Sequence, residues 1–156
     1  MLPRPRRGGI GIRFVRTDDV GNERVFDHIE AGYTRATNNQ MELKAASVAL
    51  RLIDAGKLPA GMLDNPRKID IITDSQYVAD NLRNALFEWS NNRWSRHSGA
   101  PVLNVDLWKD VTREYKKVAR SSRLELKWGR GTRGATLTTR SRTSLPSSRL
   151  ARRLGC

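Results

Sequence analysis

Two acids stand where a chain can make a carboxylate do chemistry. Asp74 follows residues 68–73, Lys-Ile-Asp-Ile-Ile-Thr, a β-branched run that reads as a buried strand. Ser75 comes next and can cap a helix running to about Leu86. Open α/β sheets place ligands at such a strand-to-helix junction, outside the carboxyl ends of their strands. Position alone leaves Asp74 two roles, a ligand-facing carboxylate or a plain helix cap. Glu42 lies near the start of a second helical segment, where it could simply complement the helix dipole. Its stripe at 46, 49 and 53 is Ala, Ala and Ile, so that face can lie against a sheet. A carboxylate on a buried face needs a partner, and a metal ion is one. Taken alone, Glu42 as a solvated charge is the plainer reading. His28 and His97 are isolated, and Cys156 is the single cysteine, so a thiolate zinc site and a disulfide framework are excluded.

The elements that must position these acids follow from patterning. Ile10, Ile12 and Phe14 alternate, and 18–22 are turn residues. A second strand around 24–31, with Val25 and Ile29 toward the core, completes a hairpin. Thr37, Asn38 and Asn39 offer caps for a helix over 41–55, with apolar positions 41, 45, 48, 49 and 52 and Gly56 as its stop. Residues 87–103 are irregular. Residues 104–118 form a further helix with Val105, Trp108, Val111 and Tyr115 on one face, and capping explains Asp106. Residues 123–128 alternate as a last strand, with Leu124, Leu126 and Trp128 opposite a solvent-facing Glu125. Together these predict an α/β chain, a mixed sheet flanked by helices.

Charge divides the chain. Its 156 residues carry 29 Lys+Arg and 16 Asp+Glu, a net +13. Residues 129–156 hold seven of the arginines, no lysine and no acid. The remaining 22 basic groups against 16 acids leave 1–128 at +6. Such a surplus favours polyanions, because neutralised phosphates release counterions. It equally suits a solvated surface. The segment from Gly129 is Arg, Thr, Ser and Gly with isolated leucines, and it reads as a disordered tail. No run approaches the roughly 18 apolar residues of a membrane span, and the start has no secretory pattern. The expected location is a reducing cytoplasm, as a monomer.

Three motifs carry a resemblance. Residues 37–43, Thr-Asn-Asn-Gln-Met-Glu-Leu, residues 73–78, Thr-Asp-Ser-Gln-Tyr-Val, and residues 104–108, Asn-Val-Asp-Leu-Trp, resemble ribonuclease H motifs in family order and spacing. The likeness covers about residues 8–128. Gly8-Gly9-Ile10-Gly11 also resembles the close of the family's glycine-rich turn. The resemblance implies an RNase H-like fold and cleavage of the RNA strand of RNA–DNA hybrids. In the family two Mg²⁺ ions, replaceable by Mn²⁺, are held by four carboxylates. One helps generate the attacking hydroxide and the other stabilises the leaving oxygen. Mg²⁺ takes hard oxygen ligands, which suits carboxylates. Glu42 then matches the second carboxylate and Asp74 the third. Asn38, Asn39 and Gln76 match residues reading the hybrid's minor groove, which senses shape and 2′-hydroxyls. Thr37 and Asn104 match holders of a DNA-strand phosphate. Arg93 and Trp94, with Arg96, fall at a basic, aromatic handle, where Trp94 serves equally well as a packing residue.

The chain also departs from the family. The first carboxylate should lie on an opening strand, yet residues 1–17 contain no acid. The fourth should follow Trp128 on a last helix, and no acid follows. The family's loop histidine is absent too. Read with the last base of each codon joined to the first two of the next, residues 130–150 are compatible with the family's C-terminal motif. A frameshift after Trp128 accounts for this and for a lysine-free tail. The expectation is an incomplete RNase H-like domain at 1–128, with first strand and last helix missing or degraded, followed by a basic frameshifted tail at 129–156. Low stability and strongly reduced hydrolysis follow. The competing readings are a non-catalytic module holding hybrid or double-stranded RNA, and a defective gene product.

Overall fold

The computed structural model describes residues 7–62, 66–129 and 135–141. It opens with a hairpin, β1 (Arg7–Thr17) and β2 (Glu23–Thr34), paired antiparallel with a bulge between Gly8 and Gly9. Asp18 builds the turn. Its Oδ1 accepts the Val20 and Asn22 amides at 2.9 and 2.8 Å, and Gly21 supplies the φ of 94° that bends the chain back. These donors hold the Asp18 carboxyl below its ordinary value, the Asn22 amide foremost.

Helix α1 (Asn38–Asp54) starts on a reciprocal cap. The Thr37 hydroxyl accepts the Gln40 amide, and Gln40 Oε1 accepts the Thr37 amide. Gly56, at φ 64°, ends the helical run. After β3 (Pro66–Thr73) comes α2 (Gln76–Phe87), then a short 3₁₀ turn at Trp89–Asn91. Helix α3 (Val105–Ala119) leads to β4 (Arg123–Trp128). Asn104 occupies the α3 N-cap position, so Asp106 is not the cap expected from sequence. It stands in the first turn, where a carboxylate meets the positive end of the helix.

A fifth strand, β5 (Ala135–Ser141), lies in the stretch that the sequence reads as disordered tail. Strand order is β2-β1-β5-β3-β4. Strand β5 runs parallel to β1 and antiparallel to β3, and β3 runs parallel to β4. Leu137 is in register with both Phe14 and Ile71. Among the described strands, the hairpin and the β3–β4 pair join only through β5. The reason is two ladder edges, each with free backbone donors and acceptors. A Thr-rich segment can satisfy both without any amphipathic pattern of its own.

The core lies on one sheet face. Ile10, Ile12, Phe14, Ile69 and Ile71 meet Ala45, Val48, Ala49 and Leu50 of α1 and Val118 of α3. A second cluster joins Leu43 and Ala46 to Val78, Leu82, Trp89, Trp108 and Val111. Here β2 corrects the sequence reading. Phe26 pairs with Phe14 on the helix side, ring centroids 6.0 Å apart, so Val25 and Ile29 point outward at 53% and 77% exposure. Their phase is set by the partner strand, because a period of two makes neighbouring residues opposite-facing. The opposite face carries charge. Lys68 reaches Glu125 at 3.2 Å and Asp70 at 3.4 Å, and Lys127 reaches Asp70 at 3.1 Å. Among the described residues no helix follows β4, and none is long and apolar enough to cross a membrane.

Candidate metal and nucleic-acid site

Asp74 directly follows β3 and stands two residues before the start of α2. The cap of α2 is Ser75, whose hydroxyl accepts the Val78 amide at 3.2 Å. Asp74 is therefore not the helix cap, and its side chain stays exposed. Glu42 is half-buried just beyond the first turn of α1. Its carboxyl sits above its ordinary value, first because burial penalises the ion, then because the Asp74 charge repels it. Two acids from separate motifs, 32 positions apart, therefore share one electrostatic neighbourhood.

Glu42 Oε2 is buried with no hydrogen-bond partner. A buried oxygen without a donor, beside a second carboxylate, is what a hard divalent cation would satisfy. The donor set thus fits such an ion, with Glu42 and Asp74 as its holders. Among the described residues no three acidic, histidine or cysteine side chains converge, so the fit extends to a pair of ligands and not to four.

A cleft of about 470 Å³ opens at Glu42, lined by Arg7, Gly8, Gly9, Asn38, Met41 and Glu42. Its walls come close: a Cβ on Gly8 would stand 2.9 Å from Met41 Sδ. Asn38, Asn39 and Gln76 are exposed in the first turns of α1 and α2, flanking the two acids. The groove-reading residues expected from sequence therefore lie on two helix N-termini, where backbone donors are unpaired and anions are favoured.

Thr37 and Asn104, both expected at a phosphate, are linked through Gln40, whose Nε2 donates to Asn104 Oδ1 at 3.4 Å. Asn104 Nδ2 in turn donates to the Tyr77 hydroxyl at 3.3 Å, and Trp108 Nε1 donates to that same oxygen at 3.0 Å. One polar chain thus runs through all three sequence motifs. Gln40 and Tyr77 were not among the residues expected from the pattern. The Thr-x-x-Gln cap spacing is the one local sign of Gln40, and nothing local marks Tyr77.

Arg93 and Trp94 sit apart from the acids, in the segment between the 3₁₀ turn and α3. Both hold left-handed backbone, φ 49° and 58°, which costs non-glycine residues energy. Trp94 packs against the second core cluster, and Lys109 Nζ lies 5.9 Å from its ring centroid. It therefore serves as a packing residue whose face also meets a cation. Arg93 is exposed beside it.

Comparison with known proteins places the chain in a family. The family model described as RNase H matches residues 1–139. The chain is 33% identical over 133 residues to the Ribonuclease H of Actinobacillus pleuropneumoniae serotype 5b (strain L20), covering 85% of this chain and 74% of that relative. It is 36% identical over 135 residues to the Ribonuclease H of Proteus mirabilis (strain HI4320), covering 85% and 71%. Among solved structures, the solution structure of the PFV RNase H domain aligns with TM-score 0.54 at 14% identity, over 96% of this chain and 90% of that one. That last likeness is one of fold.

Proposed function

The chain belongs to the ribonuclease H family, and on that premise we propose that it binds RNA–DNA hybrids and hydrolyses their RNA strand at a reduced rate. The observation that carries this reading is the buried Glu42 oxygen left without a donor, on a carboxyl raised by burial and by the nearby Asp74 charge. Glu42 and Asp74 would hold Mg²⁺ or Mn²⁺, which supplies Lewis-acid stabilisation of phosphoryl charge and a water of lowered pKa when bound. Two carboxylates underdetermine a two-ion arrangement, and this is the reason for a reduced rate.

The chain's own groups supply binding and orientation. Asn38, Asn39 and Gln76 contact the minor groove, where 2′-hydroxyls separate an RNA strand from DNA. Thr37 and Asn104 hold a phosphate of the DNA strand, and Arg93 with Trp94 extends the contact. A basic surplus strengthens all of these by counterion release. Working as a cytoplasmic monomer suits the composition. The hybrid-binding domain takes β5 (Ala135–Ser141) as well as the elements up to Trp128, and in this reading 129–156 are the product of a frame change after Trp128. Resequencing the locus through that codon tests the frame change, and an uninterrupted frame in the transcript refutes it.

The function is tested with purified chain, an end-labelled hybrid and Mg²⁺ or Mn²⁺. Cleavage abolished by Asp74→Asn supports hydrolysis. Binding without cleavage selects a second reading, a non-catalytic hybrid-binding module. The observation favouring that second reading is the convergence of only two acids among the described residues.

A further inference from the structure

The polar chain through Gln40, Asn104 and Tyr77 has a direction, and that direction is forced from the Thr37 end. At one end stands the Thr37 backbone amide, which can only donate. It fixes Gln40 Oε1 toward itself at 3.0 Å. The Gln40 amide cannot turn over without losing that bond, so its Nε2 faces Asn104. Asn104 must then present Oδ1 inward, which sends its Nδ2 to the Tyr77 oxygen. At the other end stands the Trp108 indole N–H, also a donor only, 3.0 Å from that oxygen. The Tyr77 oxygen accepts from both sides, so its own hydrogen is left to donate.

Asn104 behaves accordingly. It holds the N-cap position of α3 but makes no side-chain cap bond, and its backbone is left-handed at φ 55°. Asparagine tolerates that conformation. Its side chain is committed to Gln40 and Tyr77 instead of to its own helix. The inward acceptors of this cluster are therefore occupied. The second Nδ2 hydrogen of Asn104, the second Nε2 hydrogen of Gln40, and the hydroxyl hydrogens of Tyr77 and Thr37 have no acceptor among the described residues. Hydrogens left without acceptors, beside oxygens turned inward, suit a ligand rich in acceptors and poor in hydrogens, such as a phosphodiester oxygen.

We propose that Gln40 is a positioning residue that locks the Asn104 amide in its donor-outward orientation toward a backbone phosphate. The inference rests on the hybrid-binding reading for its ligand and on the Thr37 amide, a donor only, for its geometry. Losing the lock lets the amide turn over and present oxygen to phosphate, with the free Tyr77 hydroxyl hydrogen then able to donate to Oδ1. A preference for the turned form worth part of one neutral hydrogen bond leaves about a fifth of the chain donor-outward, and affinity falls about fivefold.

The test uses the full chain, ¹⁵N-labelled, with the Asn104 side-chain resonances assigned by their loss in Asn104→Ala. Hybrid affinity is measured by fluorescence anisotropy without divalent cation, so that no strand is cut. Gln40→Leu moves the Asn104 amide resonances and weakens hybrid binding about fivefold. In the Asn104→Ala background the same substitution changes affinity less than about twofold, because a residue acting through another has nothing left to act on. Gln40→Glu keeps the cap acceptor but offers Asn104 an oxygen where it had a donor. Its loss exceeds that of Gln40→Leu, and the part persisting in Asn104→Ala is plain charge repulsion. Unmoved Asn104 resonances in Gln40→Leu refute the lock whatever the ligand. Moved resonances with equal loss in both backgrounds, or with no loss, refute the positioning role. Moved resonances in a chain that binds no hybrid at all overturn the hybrid-binding reading and the phosphate with it.

Discussion

Replacing Glu42 by glutamine removes a charge and leaves the side-chain volume nearly unchanged. The native carboxyl is held above its ordinary value by burial and by Asp74. A raised acid binds protons more tightly folded than unfolded, so metal-free stability falls as pH rises from the ordinary glutamate value through the raised one. Glu42→Gln flattens that decline. A divalent cation acts in the opposite sense at neutral pH, because it binds the ionised pair only in the folded chain. At ten times its Kd the stabilisation is about 1.4 kcal/mol, or about 5 °C in Tm for a domain of this size. The assay is thermal unfolding followed by circular dichroism, in EDTA and in Mg²⁺ matched for ionic strength with monovalent salt. The unaltered chain gains about 5 °C from Mg²⁺, and Glu42→Gln and Asp74→Asn gain almost nothing. An equal Mg²⁺ shift in all three would refute the reasoning, since the cation would then be acting elsewhere.

Other substitutions test the frame around that pair. Leu137→Pro removes a donor from the middle of β5, in register with Phe14 and Ile71, and costs about 3 kcal/mol or unfolds the chain; an unchanged urea midpoint would remove β5 from the sheet. Phe14→Ala empties a fully buried position and costs about 3–5 kcal/mol in the same titration. Trp108→Phe deletes the indole donor to Tyr77 and costs about 1–3 kcal/mol, with the Tyr77 environment reporting the change by ultraviolet fluorescence. Tyr115→Phe removes a bond to the Leu124 carbonyl at 3.3 Å and costs about 1 kcal/mol.

The helices were legible because their signals are local. Ser75 is a cap read directly from residue type, and Gly56 is a stop for the same reason; of the three caps offered at 37–39 the helix uses Thr37, and so starts at Asn38 and not at 41. The hairpin was legible in position but not in phase. Val25, Phe26 and Ile29 are all apolar, and only pairing with Phe14 decides which of them faces the helices. Strand β5 was illegible because its sequence has no inward and outward alternation. What calls it into the sheet are two edges contributed by residues far upstream. The acids at 42 and 74 could be named from their motifs, whereas their shared field is a product of the packed fold. The Gln40–Asn104 contact spans 64 positions, and no local pattern encodes it.

The central place of β5 sets an order of events during synthesis. Ile12 pairs with Ala135, a residue the ribosome adds 123 positions later. Until then the first hairpin and the β3–β4 pair emerge as separate two-stranded ribbons, each with an unmatched edge. Such ribbons are marginal in water, and closing so long a loop is slow. The nascent chain therefore reaches the tunnel exit with its two strand pairs joined only through their packing on α1. Chaperone capture or edge-to-edge association of neighbouring chains competes in that interval, and yield from translation depends on how quickly the last strand arrives.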